Sequence, residues 1–147
     1  MPPAVPSARR RAARGVLERI GSATANDVVL VLDQETHASW EGIIREELAR
    51  SCEAPPDVRR ADAEAWIDGS SIERTQAWLG GLLELPPEEM ELLVGAALQA
   101  LGSRDAPVKE RFRSDVSRAA ARFHVPQLLR LEETFRRLAA ELGEPWS

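Results

Sequence analysis

The chain has 147 residues, of which 44% are hydrophobic and 29% are charged, and its formal net charge is −5. This length and composition suit one globular domain and exclude a wholly disordered chain. The longest apolar run, Val28 to Leu32, is far too short to span a membrane, and we expect no secretory signal. Because Cys52 is the only cysteine, no intrachain disulfide can form, so we expect a reducing, cytoplasmic environment.

Charge is distributed unevenly along the chain. Residues 1–15 carry no acidic side chain and four arginines, Arg9, Arg10, Arg11 and Arg14, whereas the remaining residues carry 15 basic and 24 acidic side chains, a net charge of −9. We interpret residues 1–12 as a flexible, arginine-rich arm and residues 13–147 as a single helical domain. The arm is either a solvated terminus or a basic segment for an anionic partner.

The first part of the domain predicts short elements. Residues 12–20 are typical of a short helix that ends at Gly21. The β-branched run Val28 to Leu32 is compatible with a strand or with a buried helical turn. We favour the helical turn, because no partner strand is visible elsewhere in the sequence.

Four further helices are predicted from apolar periodicity and helix-ending residues. One contains Trp40, Ile44 and Leu48 on one face and ends before Pro55. In the next helix, we expect Asp57 to cap the N-terminus. Residues 70–85 begin with a capping-box pattern, and residues 86–102 show an apolar face that ends at Gly102, so we expect these two helices to pack as a hairpin.

Two amphipathic helices complete the chain. Asp105 is a plausible cap for a helix that continues to Phe123 and is stopped by Pro126. His124 is expected at the C-terminus of that helix, near its dipole. The last helix has its apolar residues at spacings of three and four and ends at Gly143; these residues are Leu128, Leu131, Phe135, Leu138 and Leu142. The fold class is therefore all-α, a compact bundle of six or seven amphipathic helices with a short flexible basic N-terminal arm.

Few residues suggest catalysis, and we expect a non-enzymatic protein without a cofactor or metal. If residues 33–45 are helical, Asp33, His37 and Glu41 share one stripe that could bind a divalent metal. Arg45 continues that stripe, which favours a series of exposed ion pairs instead. Cys52 lies on an apolar face and is expected to be an inert thiol.

The C-terminal region carries the functional hypothesis. Leu129 and Trp146 lie off the apolar stripe of the last helix, and with Phe135 they give this end more apolar surface than one face covers. Such a surface indicates a contact with a protein partner or with a second copy of the chain. Trp146 is either packed back onto the bundle or available to the partner. We therefore expect an adaptor, regulator or assembly subunit that forms a homo-oligomer.

The alternative hypothesis is a helical transcriptional regulator that binds DNA. Residues 119–127 are similar to the small-residue helix and turn of bacterial winged-helix regulators, although leucines follow where a recognition helix presents polar groups. The basic residues that could contact nucleic acid are Arg9, Arg10, Arg11, Arg130, Arg136 and Arg137. The acidic charge of the domain disfavours this alternative.

Overall fold

The computed structural model describes residues 37–146, which form six α-helices and no strand. The helices are α1 (His37–Glu53), α2 (Pro56–Asp68), α3 (Ile72–Leu83), α4 (Pro87–Gly102), α5 (Ala106–Ala120) and α6 (Val125–Leu142). The all-α fold class is confirmed for these residues, and none of their helices is long and apolar enough to cross a membrane. The basic arm, the predicted helix at 12–20 and the run Val28 to Leu32 lie outside the described residues.

Two of the predicted helix starts differ from those in the structure. Ser71, not Ser70, caps α3, because its side-chain oxygen accepts a hydrogen bond from the backbone N–H of Arg74 at 3.2 Å. Ser70 instead donates a hydrogen bond to Asp115 at 2.7 Å, which ties the α2–α3 turn to α5. The prediction that Asp57 caps α2 is also wrong, because the helix already begins at Pro56.

The turn between α5 and α6 also differs from the prediction. The cap by Asp105 is confirmed, since its side chain accepts a hydrogen bond from the N–H of Val108 at 3.3 Å. However, α5 ends at Ala120, and Phe123 lies in the turn, where its ring packs 3.8 Å from the Cβ position of Gly80. His124 is therefore the residue that precedes α6 and does not lie at the C-terminus of α5.

The helices pack mainly on the helix two positions along the chain. α1 packs on α3, α2 on α4, α3 on α5 and α4 on α6, whereas α3 with α4 and α5 with α6 have little direct contact. The expectation that α3 and α4 form a closely packed hairpin is therefore wrong. Their apolar faces are covered by α1, α2, α5 and α6 instead.

Aromatic rings connect the centre of the core. Trp78 on α3 contacts three other rings: Trp66 on α2 at a centroid distance of 6.5 Å, Phe112 on α5 at 6.0 Å and Phe135 on α6 at 6.2 Å. All four side chains are buried. Because aromatic pairs add to the free energy of burying their apolar area, Trp78 holds four helices together.

Gly81 of α3 lies where α3 closely approaches α1. A Cβ atom on Gly81 would lie 2.6 Å from Cδ1 of Leu48 and 3.2 Å from Cγ2 of Ile44. Both neighbours are almost fully buried, so neither side chain can turn into solvent. Glycine at this position therefore allows the two helices to approach.

We predict opposite effects on stability for alanine at two helical glycines. Gly81→Ala should lower the free energy of unfolding by about 1–3 kcal/mol, because the added methyl group overpacks the α1–α3 contact. Gly95→Ala adds a Cβ with nothing within 4 Å and should raise that free energy by about 0.5–1 kcal/mol through helix propensity. Chemical denaturation measures both, and equal stabilisation by the two substitutions would contradict the close approach.

Candidate functional site

The last helix ends in a turn that directs the chain back across the bundle. Gly143 adopts a left-handed conformation with φ of 70°. Its N–H donates to the carbonyl of Ala140 at 3.2 Å, and the N–H of Glu144 donates to the carbonyl of Ala139 at 2.9 Å. These two bonds are the Schellman motif, which needs glycine at the left-handed position. The predicted helix end at Gly143 is thereby confirmed.

The three residues after this turn, 144–146, form the C-terminal segment, which docks on α5. Lys109 forms an ion pair with Glu144 at 3.0 Å, and the Glu144 side chain is only 10% exposed. Arg113 donates a hydrogen bond to the carbonyl oxygen of Pro145 at 3.3 Å. A basic side chain on α5 therefore contacts each of the first two residues of the segment.

Trp146 is inserted where α5 and α6 diverge. Its ring stacks on Phe135 of α6 at a centroid distance of 5.0 Å and meets Phe112 of α5 edge-on at 6.5 Å. α5 and α6 have little direct contact with each other, and the half-buried indole connects them through these two rings. It also extends the aromatic cluster around Trp78.

A cavity of about 130 Å³ remains beside Trp146. We define the groove as the set of residues that lines it: Arg113, Val116, Ser117 and Ala120 from α5, Leu131, Glu132, Phe135 and Arg136 from α6, and Trp146. Val116, Ala120, Leu131 and Phe135 are buried and provide an apolar floor, while the charged residues form the rim. The site can therefore hold an apolar side chain and bind charged groups at its edge.

Exposed apolar residues extend this surface along α6. Val125 is 66% exposed and Leu129 is 56% exposed, and helical geometry places them on the same side as Glu132 and Arg136 of the groove. We refer to Val125, Leu129, Glu132 and Arg136 as the α6 stripe. The apolar surface therefore continues from the groove to the beginning of α6.

The three predicted partner-binding residues have different positions. Leu129 is exposed on the α6 stripe, Trp146 is half-buried in the groove, and Phe135 is buried beneath Trp146. A partner can thus touch Leu129 directly, whereas the Phe135 ring lies against Trp146 at the floor of the groove. Leu142, expected in the core, is 44% exposed.

The arginines of the DNA-binding alternative also occupy different environments. Arg130 donates hydrogen bonds to the carbonyls of Leu83 at 3.0 Å and Leu85 at 3.3 Å, so it caps the end of α3. Arg137 forms ion pairs with Glu91 and Glu141, and Arg136 lies on the rim of the groove. The N-terminal arginines Arg9, Arg10 and Arg11 lie outside the described residues.

Binding of helix-terminal carbonyls by arginine is repeated elsewhere in the bundle. Arg59 donates to the carbonyl of Ala54 at 2.7 Å at the end of α1. Arg111 donates to the carbonyl of Ile67 at 3.3 Å at the end of α2. Each of these arginines stabilises a helix C-terminus that has unpaired carbonyl groups. Several arginines in the described part of the chain therefore have a structural role at helix ends.

The predicted metal stripe does not form a site among the described residues. Asp33 and the side chain of His37 lie outside them, and Glu41 forms an ion pair with Arg45 at 2.8 Å on the surface. Between residues 37 and 146, no group of three histidine, cysteine or acidic side chains is placed to hold a metal ion. The pair of Glu41 and Arg45 agrees with the prediction of exposed ion pairs along this stripe.

Two acidic residues are buried although their sequence pattern does not predict it. Glu47 and Asp62 both contact Arg50, which donates to Asp62 at 2.9 Å and joins α1 to α2. This arrangement is a structural ion cluster.

The Cys52 thiol is not activated by its surroundings. Burial raises the pKa of the Cys52 thiol, and Glu89 raises this pKa further, so this cysteine is a poor thiolate nucleophile at neutral pH.

No family model matches the chain, and the comparisons with curated proteins and with solved structures also find no match. The groove, the C-terminal segment and the α6 stripe are therefore the features from which we infer a function.

We predict that Arg130 matters for stability. Arg130→Ala should lower the free energy of unfolding by about 1–3 kcal/mol, because two carbonyls at the end of α3 lose a charged donor. Arg118→Ala, at an exposed position on α5, should change it by less than about 0.5 kcal/mol. Urea denaturation of the two variants provides the comparison, and equal stabilities would show that Arg130 is not needed as a cap.

Proposed function

We propose that this protein is a non-enzymatic adaptor, regulator or assembly subunit that acts by binding protein, and that a second copy of the chain binds its α6 stripe. The single observation that carries the proposal is the exposure of Val125 and Leu129 one helical turn apart, beside a groove with an apolar floor. Continuous apolar surface of this kind is typical of a contact site.

The charges on the α6 stripe support a second copy as the partner. Glu132 and Arg136 have opposite charge and lie one turn apart on the stripe. In a two-fold contact the same surface is used by both copies. Between two parallel α6 helices, Val125 and Leu129 would meet their counterparts, and Glu132 of one copy would lie one turn from Arg136 of the other. The contact would then bury apolar groups and pair charges together.

The groove itself supports binding rather than chemistry. Its rim supplies two arginines, one glutamate and an exposed serine, and none of its lining residues is histidine or cysteine. Its floor is made of aliphatic and aromatic side chains. Such a surface favours an apolar side chain of a partner with charged flanks.

The DNA-binding alternative has less support from the described residues. Arg130 and Arg137 already have partners within the bundle. Residues 37–146 carry 20 acidic and 14 basic side chains, and an excess of acidic charge weakens attraction to phosphate.

We expect the full chain to self-associate as its concentration rises from micromolar to near-millimolar. Leu129→Asp should abolish this association, because it places a charge in the contact, while the monomer stays folded. Leu142→Asp is the matched control, since Leu142 is a similarly exposed leucine on α6 but lies about 140° around the helix from Leu129. Sedimentation velocity and circular dichroism measure mass and folding.

Charge reversal tests the geometry of the same contact. Glu132→Arg and Arg136→Glu should each weaken association, and the two substitutions combined should restore it. A chain that stays monomeric at every concentration would contradict self-association. If it instead bound duplex DNA in a salt-sensitive manner, and substitution of Arg130, Arg136 and Arg137 abolished that binding, the DNA-binding alternative would replace our proposal.

A further inference from the structure

We infer that the groove is a recognition site for a partner segment in which an acidic residue precedes an aromatic one, and that the C-terminal segment occupies this site in competition with the partner. The inference goes beyond self-association through the α6 stripe. It concerns a different occupant, an acidic–aromatic segment of another protein.

The first support is that the C-terminal segment is held as a bound peptide would be. Each of its three residues contributes a different kind of contact: Glu144 pairs with Lys109, the carbonyl of Pro145 accepts from Arg113, and Trp146 stacks on Phe135. A charge, a backbone carbonyl and an aromatic ring are the features by which short segments are commonly recognised. The occupant present in the structure therefore defines the chemistry that the groove accepts.

The second support is that the C-terminal segment does not fill the groove. The remaining 130 Å³ is close to the volume of engineered apolar cavities of about 150 Å³ that bind benzene. A partner segment with an additional apolar side chain would use this space, which the C-terminal segment leaves empty. Such a segment gains apolar contacts that the internal competitor does not make.

Charge favours an acidic partner at this surface in particular. Two arginines, Arg113 and Arg136, and one acidic residue, Glu132, line the groove, and Lys109 on α5 holds the carboxylate of Glu144. When the C-terminal segment leaves, the charge of Glu144 leaves with it. The vacated groove is thus more positive than the occupied one, which attracts an acidic segment.

Release of the C-terminal segment requires only a local change. The segment is joined to α6 through the left-handed Gly143 and has an exposed proline at its centre. Segments outside the core helices open at lower free energy than those helices. Because the partner binds only the open state, the internal segment lowers its apparent affinity by the fraction of molecules that are open.

The test uses the full chain and a fluorescein-labelled peptide with the sequence of residues 142–147, Leu-Gly-Glu-Pro-Trp-Ser. Fluorescence polarisation should show that the peptide binds the Trp146→Ala protein at least about tenfold more tightly than the unsubstituted protein, because the substitution removes the competing ring. Peptides that carry Trp146→Ala or Glu144→Lys should bind the same protein at least about tenfold more weakly. Arg113→Glu in the protein should also weaken binding.

Three results would overturn the inference. The first is equal affinity of the peptide for the folded Trp146→Ala protein and for the unsubstituted protein. The second is that the peptides carrying Trp146→Ala or Glu144→Lys bind as tightly as the unsubstituted peptide. The third is that free indole competes as strongly as the unlabelled peptide. The last result would assign the groove to small apolar molecules. These readouts do not depend on mass, so a failure of self-association through the α6 stripe is distinguishable from a failure here.

A second measurement applies if Trp146→Ala does not fold. The unsubstituted chain is labelled with 5-fluorotryptophan, and the resonance of Trp146 is identified by its loss in Trp146→Phe. Excess unlabelled peptide should shift this resonance as the ring leaves Phe135. An unchanged resonance at saturating peptide would overturn the inference.

Discussion

The aromatic cluster around Trp78 is the interaction on which the rest of the structure depends. Trp78 contacts Trp66, Phe112 and Phe135, so one side chain joins α2, α3, α5 and α6. This matters because neighbouring helices such as α5 and α6 have little direct contact with each other. In a bundle that packs each helix on the one two positions along, the centre must be filled by side chains large enough to reach several helices. Tryptophan and phenylalanine supply that reach and a large buried area.

The same packing order explains why a candidate binding surface exists. Because α5 lies on α3 and α6 lies on α4, a gap opens between α5 and α6, and the core aromatic Phe135 is left beneath it. Trp146 covers Phe135 from outside as the last ring of the cluster. A residue beyond the last helix therefore completes the core and also lines the groove. The proposed partner segment and the proposed second copy bind adjacent parts of this surface.

The sequence predicted the helical fold class and most helix positions, because apolar periodicity and prolines determine them locally. It failed where tertiary contacts decide: Ser70 bonds to Asp115 instead of capping α3, and α3 and α4 do not pack as a hairpin. The importance of Trp146 was visible as an off-stripe aromatic, but its contact with Phe135 was not, since it depends on the turn at Gly143 and on the divergence of α5 and α6. The use of Arg130 as a cap was equally hidden, because its carbonyl partners lie 45 or more residues away.

The most direct test of this account is the stability conferred by the ring at position 146. Removal of the ring in Trp146→Ala should lower the free energy of unfolding by about 2–4 kcal/mol, whereas Trp146→Phe should lose less than half as much, because a phenyl ring still covers Phe135. Hydrogen exchange should accelerate in α6 of the alanine variant. If Trp146→Ala unfolds at the same denaturant concentration as the unsubstituted chain, Trp146 is not part of the core, and the account is wrong.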